Sequence, residues 1–343
     1  MNFRMSGRCW KSLMIAGFLG LPLSVKAGDT ATVDSFHVAS IFTSVARNDP
    51  NGRPVAATTI RFRLYVPRNY NPAVSYPLVI TLHGSGEGGT DNRAQLKYRF
   101  NRMWADDTMQ AKQPMFVLAP QSTAVNYTWT SIPSTSASWT YSSFVINPPM
   151  EAAIQLLDSL KTAYNIDTTK LIVSGLSAGG YATWYLLCRF PKRWAAALPD
   201  AACGDSTRAM VNTFLNTPIW IFHGGSDPTV NVGCGRGMIA SLRAAYAAVS
   251  KDTTVRLRYS EYPGVGHNSW ENASRDPRVM PWAVSWFASP TAIRQDPWKF
   301  LADNRQIANV KAIDILGRKR NVKSPASAFK TGIIHPNRTG EVP

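Results

Sequence analysis

Between residues 55 and 290 the chain switches repeatedly between two hydrophobic rhythms. Ile60 to Val66 reads as a strand. Leu78-Val79-Ile80-Thr81-Leu82-His83 is nearly continuous and apolar, the pattern of a strand buried on both faces. Met115 to Ala119 is a similar run that ends at Pro120. Met150 to Tyr164 has apolar residues at helical spacing just behind Pro149, which predicts a helix. There follow a strand at Leu171–Val173, a helix at Gly179–Cys188, a strand at Ala195–Leu198 stopped by Pro199, and a strand at Ile219–Phe222. A helix near Gly237–Val249, a strand at Val255–Tyr259 and a closing helix near Pro281–Phe287 complete the series. Such alternation predicts an α/β fold, with a mostly parallel central sheet covered by helices on both faces.

Three stretches depart from this rhythm. Residues 121–148 are rich in Ser, Thr, Tyr and Trp with little periodicity, as in a long loop or cap. At the start, Arg4, Arg8 and Lys11 precede an apolar stretch from Ser12 to Val25, followed by Val25-Lys26-Ala27. A basic region, a short apolar core and small residues at −3 and −1 predict a secretory signal peptide over 1–27, cleaved after Ala27. The apolar run is too short to be a membrane anchor. From Asp296 onward the chain turns basic, with one apolar patch at Val310–Leu316. The expected organisation is therefore signal peptide 1–27, catalytic domain 28–293 and a C-terminal tail 294–343 with a sorting or anchoring role. The mature protein is expected outside the cytoplasm, secreted or periplasmic.

Composition narrows the class. With 45% hydrophobic and 17% charged residues, the chain has enough apolar surface to offset chain entropy, which excludes disorder. The formal charge of +16 is unevenly spread, since residues 294–343 hold ten basic and four acidic residues. No basic stripe with interleaved aromatics marks a nucleic-acid surface, and no apolar run is long enough to span a membrane. Export leaves Cys188, Cys203 and Cys234. Cys188 lies in an apolar helical run and reads as a buried free thiol. Cys203 and Cys234 lie in Gly-rich sequence and are candidates to pair in an oxidising compartment, although spacing does not fix the geometry. Neither CxxC nor HxxxH occurs, which disfavours zinc, and no metal or cofactor is expected.

The candidate chemistry centres on Gly175-Leu176-Ser177-Ala178-Gly179, a G-x-S-x-G placed after a buried strand and before a helix. Small residues at Gly175 and Gly179 permit a sharp strand-to-helix turn that presents Ser177 above the sheet. Serine needs a base, and there are five histidines. His37 precedes the first core strand and His335 lies in the tail. His83 and His223 each end an apolar strand, where backbone packing or site architecture explains them. His267 sits in the glycine-containing loop Pro263–Trp270 beyond the last strand and is the candidate base. Asp227, just past the Ile219–Phe222 strand, is the candidate acid, with Asp200 and Asp205 as rivals. The order Ser177, Asp227, His267 is that of α/β-hydrolases, and differs from the chymotrypsin and subtilisin orders. His83-Gly84-Ser85-Gly86-Glu87-Gly88-Gly89 supplies a loop where the Ser85 N–H would pair with that of Ala178 as an oxyanion hole. A phosphate cradle is excluded there for want of a following Lys-Ser/Thr.

Leu78 to Leu96, with its L-H-G-S-G-E-x-G-x-D-N-x-x-Q-L pattern, resembles the secreted α/β-hydrolases grouped as predicted peptidases and phospholipase/carboxylesterase-like esterases. These lie near the feruloyl-esterase and polyhydroxybutyrate-depolymerase-like enzymes. The similarity continues through Ala119-Pro120-Gln121, Gly175–Gly179, His223–Val230 and Gly264–Trp270, and so covers roughly 60–290. The resemblance implies nucleophile, acid and base at Ser177, Asp227 and His267, and a carboxylic ester substrate such as a feruloyl or acetyl ester on polysaccharide. A fainter similarity at Ala312–Lys319 is to the C-terminal sorting modules of type IX secretion. Trp129, Trp139 and Trp270 are candidate pocket residues, with packing at the domain edge as the competing expectation. Two other functions stay open: a serine peptidase with the same triad, and a non-catalytic surface- or carbohydrate-binding protein.

Overall fold

The computed structural model describes residues 30–123, 129–131, 140–249, 255–288, 311–313 and 319–321. The expected signal peptide, Trp139 and most of the tail lie outside the described residues.

Eight strands form the central sheet: β1 (Val38–Thr43), β2 (Thr59–Tyr65), β3 (Tyr76–Leu82), β4 (Phe116–Gln121), β5 (Ile166–Leu176), β6 (Ala196–Asp200), β7 (Ile219–Gly224) and β8 (Leu257–Tyr262). Their spatial order is β1-β2-β4-β3-β5-β6-β7-β8. The β1–β2 and β2–β4 pairs are antiparallel, and every later pair is parallel. Helices α1 (Arg99–Arg102), α2 (Asp107–Lys112), α3 (Pro148–Ala163), α4 (Ala178–Arg189), α5 (Arg208–Thr213), α6 (Gly233–Ala248), α7 (Trp270–Arg275) and α8 (Val279–Ser285) cover its faces. The expected mostly parallel sheet is present.

The apolar runs divide between two cores because successive side chains in a strand face opposite ways. From β3, Leu78, Ile80 and Leu82 join one core with Met150, Ile154, Trp184, Leu187 and Leu242, from α3, α4 and α6. Val79 joins the other, with Phe100, Met109, Trp270 and Trp282, from α1, α2, α7 and α8. β7 splits the same way, Ile219 and Ile221 to the first core, Trp220 and Phe222 to the second. A strand apolar at every position is thus the sequence expression of a sheet with helices on both faces. No helix among the described residues is long and apolar enough to cross a membrane.

Two local expectations need correction. Pro199 does not stop a strand, because it lies within β6 opposite Gly175. On the other side the ladder to β7 pairs Ala197 and Asp200 but skips the residues between them, so the missing N–H falls in an interruption. β1 has no counterpart among the expected strands; its side chains alternate between half-buried and exposed at the sheet edge, a weaker apolar signal than that of the buried strands.

Candidate active site

Ser177 stands between β5 and α4 with φ 51° and ψ −120°, a conformation costly for a residue with a side chain. Its neighbours show why the turn is this tight. A Cβ on Gly175 would lie 2.2 Å from the Gly179 carbonyl oxygen, and one on Gly179 would lie 2.1 Å from that of Leu82. Gly180 approaches the Asp200 carbonyl oxygen almost as closely, at 2.5 Å from where a Cβ would be. Helix and sheet touch through bare backbone, and the Ser177 N–H donates to the Asp200 carbonyl at 2.9 Å.

The loop after β8 brings His267 over this turn. Its Nε2 lies 2.9 Å from Ser177 Oγ and its Nδ1 lies 2.8 Å from Asp227 Oδ2. The Asp227 side chain is buried, and its Oδ1 accepts the N–H groups of Thr229 and Val230 at 2.8 and 2.9 Å. With Asp227 ionised, Nδ1 donates to it, which leaves Nε2 as the acceptor for the Ser177 hydroxyl. A Cβ on Gly224 would lie 2.0 Å from the Gly266 carbonyl oxygen, so the end of β7 and the His267 loop also meet backbone to backbone.

The rival acids are engaged elsewhere. Asp205 accepts from the Tyr141 and Thr207 N–H groups. Asp200, wholly buried, accepts the Ser269 hydroxyl on Oδ1. Burial lifts its carboxyl to about 7; the Ser269 hydrogen bond opposes that rise and the charge of Asp227 adds to it. His223, also buried, donates from Nε2 to the Val230 carbonyl at 2.9 Å and stands 3.5 Å from Asp227 Oδ2. Burial holds it below the usual imidazole range, so it supports the Asp227 turn as a neutral ring.

Next to Ser177 lies the loop after β3. A Cβ on Gly84 would come within 3.5 Å of Ser177 Cβ. His83 is buried, and desolvation lowers its pKa to about 4. Its Nε2 accepts the Ser122 N–H at 3.0 Å, so Nδ1 donates to the Gly84 carbonyl at 2.6 Å. A planar trans peptide then directs the Ser85 N–H the opposite way. Gln121 secures the far side of the loop through the Glu87 carbonyl, Asp91 and the Asn92 N–H. Ala178 is the first residue of α4, where backbone N–H groups lack intrahelical partners. Neither the Ser85 nor the Ala178 N–H has a protein acceptor among the described residues. A developing oxyanion could accept from both.

Cys203 and Cys234 form a disulfide with a Cα–Cα distance of 4.7 Å, joining the loop after β6 to the start of α6. Cys188 is a buried free thiol. Trp270 is largely buried and meets the His267 ring nearly edge-on, with centroids 5.2 Å apart. Tyr98, which no sequence pattern singles out, packs on Trp270 at 5.3 Å. Trp129 does not line an open pocket: it is fully buried, donates its indole N–H to the His83 carbonyl and packs on the His83 ring. Its aromatic bulk and single donor suit it to bracing the loop from below. Among the described residues no group of three or more His, Cys, Asp or Glu side chains is placed to hold a metal ion.

Residues 149–224, from α3 through β7, match the model of the prolyl oligopeptidase family. A curated relative, a bifunctional acetylxylan esterase/xylanase of Neocallimastix patriciarum, is 24% identical over 208 residues, which are 60% of this chain and 27% of the relative. A crystal structure of a thermostable esterase is similar with a TM-score of 0.58 and 33% identity, over 72% of this chain and 63% of that one. The chain therefore spans about a quarter of the first and under two thirds of the second. Its strand order and this likeness are those of the α/β-hydrolase fold.

Proposed function

We propose that this chain, built on the α/β-hydrolase fold, is an exported serine hydrolase that cleaves carboxylic esters through an acyl-enzyme. The observation that carries the reading is the pair of hydrogen bonds linking Asp227, His267 and Ser177, beside two backbone N–H groups free of protein acceptors among the described residues. His267 Nε2 takes the Ser177 proton as Oγ attacks the ester carbonyl carbon. The Ser85 and Ala178 N–H groups hold the negative oxygen of the tetrahedral intermediate. His267 returns the proton to the departing alcohol. Water then gives a proton to His267 and attacks the acyl carbon, and as the second intermediate collapses His267 passes that proton to Ser177 Oγ, releasing the acid and restoring the free serine. Asp227 keeps the imidazole in the required tautomer and stabilises the imidazolium. No step calls on a cofactor.

Feruloyl or acetyl esters on polysaccharide are the leading substrates. The esterase relatives and the resemblance of the Leu78–Leu96 segment support that choice. Mature protein is assayed on chromogenic acyl esters, feruloyl esters and a peptide anilide, with and without Ser177→Ala. Ester turnover should fall by at least about 10⁴-fold in the variant, to the level that binding and oxyanion stabilisation sustain alone. Activity surviving the substitution would mean another nucleophile. A serine peptidase is the second reading, favoured by the family match over 149–224; cleavage of the anilide without ester turnover would establish it.

A further inference from the structure

Asp200 has no part in the chemistry above, yet it touches both segments that carry the reacting groups. It closes β6, opposite Leu176 of β5, and its main-chain carbonyl accepts the Ser177 N–H at 2.9 Å. Its side chain is fully buried and accepts the hydroxyl of Ser269, two residues beyond His267. The other carboxyl oxygen has no partner among the described residues.

Ser269 is itself informative. It immediately precedes α7, where a serine ordinarily turns its oxygen onto the N–H groups of its own helix. Here its main-chain carbonyl accepts from Asn272 and Ala273, but the side chain makes no cap and points to Asp200 instead. Between Gly266 and Trp270 the hydrogen bonds that reach the sheet and its loops, among the described residues, are those of His267 and Ser269. Apart from the imidazole's own contacts, this is the hydrogen bond that ties the distal half of the loop to the sheet, beside the packing of buried Trp270.

We propose that Asp200 is a positioning residue that, through Ser269, holds His267 at hydrogen-bonding distance from Ser177. Asp200 is fixed to the nucleophile by main chain and to the base by a side-chain hydrogen bond. It therefore sets the separation of two groups that the fold brings in from different strands. The inference rests on the reading of Ser177 as nucleophile, and a misplacement of about 1 Å is enough to cost on the order of 10²-fold in rate.

The test compares phosphonylation of Ser177 by a fluorophosphonate with steady-state ester hydrolysis, using the intact, disulfide-bonded chain. Ser269→Ala should slow labelling and lower kcat by about tenfold or more with KM within about twofold, since the tie acts on geometry and not on substrate binding. Ser269→Thr restores the hydroxyl and should recover both rates to within about threefold. Asp200→Asn keeps an oxygen acceptor and should also stay within about threefold, whereas Asp200→Ala should match Ser269→Ala. The double alanine variant should be no slower than either single, because both remove the same bond. Should Asp200→Ala fail to fold, the Ser269 pair decides alone. Labelling of Ser269→Ala at the parent rate, or multiplicative losses in the double variant, would overturn the proposal. Absence of any labelling in the parent chain would remove the nucleophile reading first, and this inference with it.

Discussion

The turn that carries Ser177 and the loop that carries His267 reach the same point by different means. At the turn, three glycines each bring backbone to within 2.5 Å of where a Cβ would sit, so helix, sheet and serine are locked by main chain. The His267 loop has one such contact, at Gly224 and Gly266, with a main-chain hydrogen bond from Ser226 to the Val265 carbonyl; from His267 onward its hydrogen bonds to the sheet and its loops are made by side chains. Gly264 in the same loop, at φ +74°, has no atom within 4 Å of where a Cβ would sit and serves only its backbone angle. A segment held by main chain tolerates no added atom. One held by side chains can be adjusted in steps.

Substitutions graded by size break or sharpen that contrast. Gly179→Ala should do the greatest damage, because the Leu82 carbonyl oxygen blocks the new methyl group and belongs to a buried strand. A loss of about 4 kcal/mol or more is expected, read as failure to fold or as a melt far below the parent. Replacing Cys203 and Cys234 by serine should cost about 3–4 kcal/mol, the loop-closure value for a sequence separation of 31, measured by denaturation.

Asp200→Asn should have a smaller effect that depends on pH. Burial raises this carboxyl from its ordinary 3.8 to about 7 in the folded chain. Between those values the unfolded chain has released a proton that the folded chain keeps. Stability therefore falls as pH rises through this window and levels off above it. The asparagine lacks that slope, so its stability relative to the parent should improve by about 2–3 kcal/mol from pH 5 to pH 8. Gly264→Ala should be the mildest change. With open space around it only the positive φ opposes a side chain, at about 1 kcal/mol, and ester turnover should change little.

The same contrast explains what can be read from the sequence. β3 and β7 hold long apolar runs, legible as strands buried on two faces, whereas β5 shows only Leu171–Val173 of its eleven residues. Gly175 and Gly179 are legible because a backbone contact leaves its mark as glycine, and the Ser177, Asp227, His267 order follows from chain position. The disulfide can be named as a pair but not decided, since spacing does not determine Cα separation. Asp200 reads only as a rival acid: nothing in one sequence says that a carboxylate will meet Ser269 rather than His267. Trp129 leaves two expectations open, lining a pocket or packing at the domain edge, and only its indole N–H on a buried carbonyl decides for packing. Tyr98 lies in a stretch of short helical turns with no period long enough to announce a face.

The segment after β4 has a further consequence for design. Trp129 is bolted to His83, Thr130 bridges to Ile146, and Ser131 and Val145 exchange hydrogen bonds, so residues 129–131 and 145–146 are clasped together beside the oxyanion loop. Chain inserted between clasped ends is cheap, at about 0.6 kcal/mol for each doubling of its length. The clasp, with Phe144 buried in the core behind it, belongs to the fixed frame of the molecule, so a change of chain length between residues 131 and 140 should leave the sheet, the serine turn and the base loop in place.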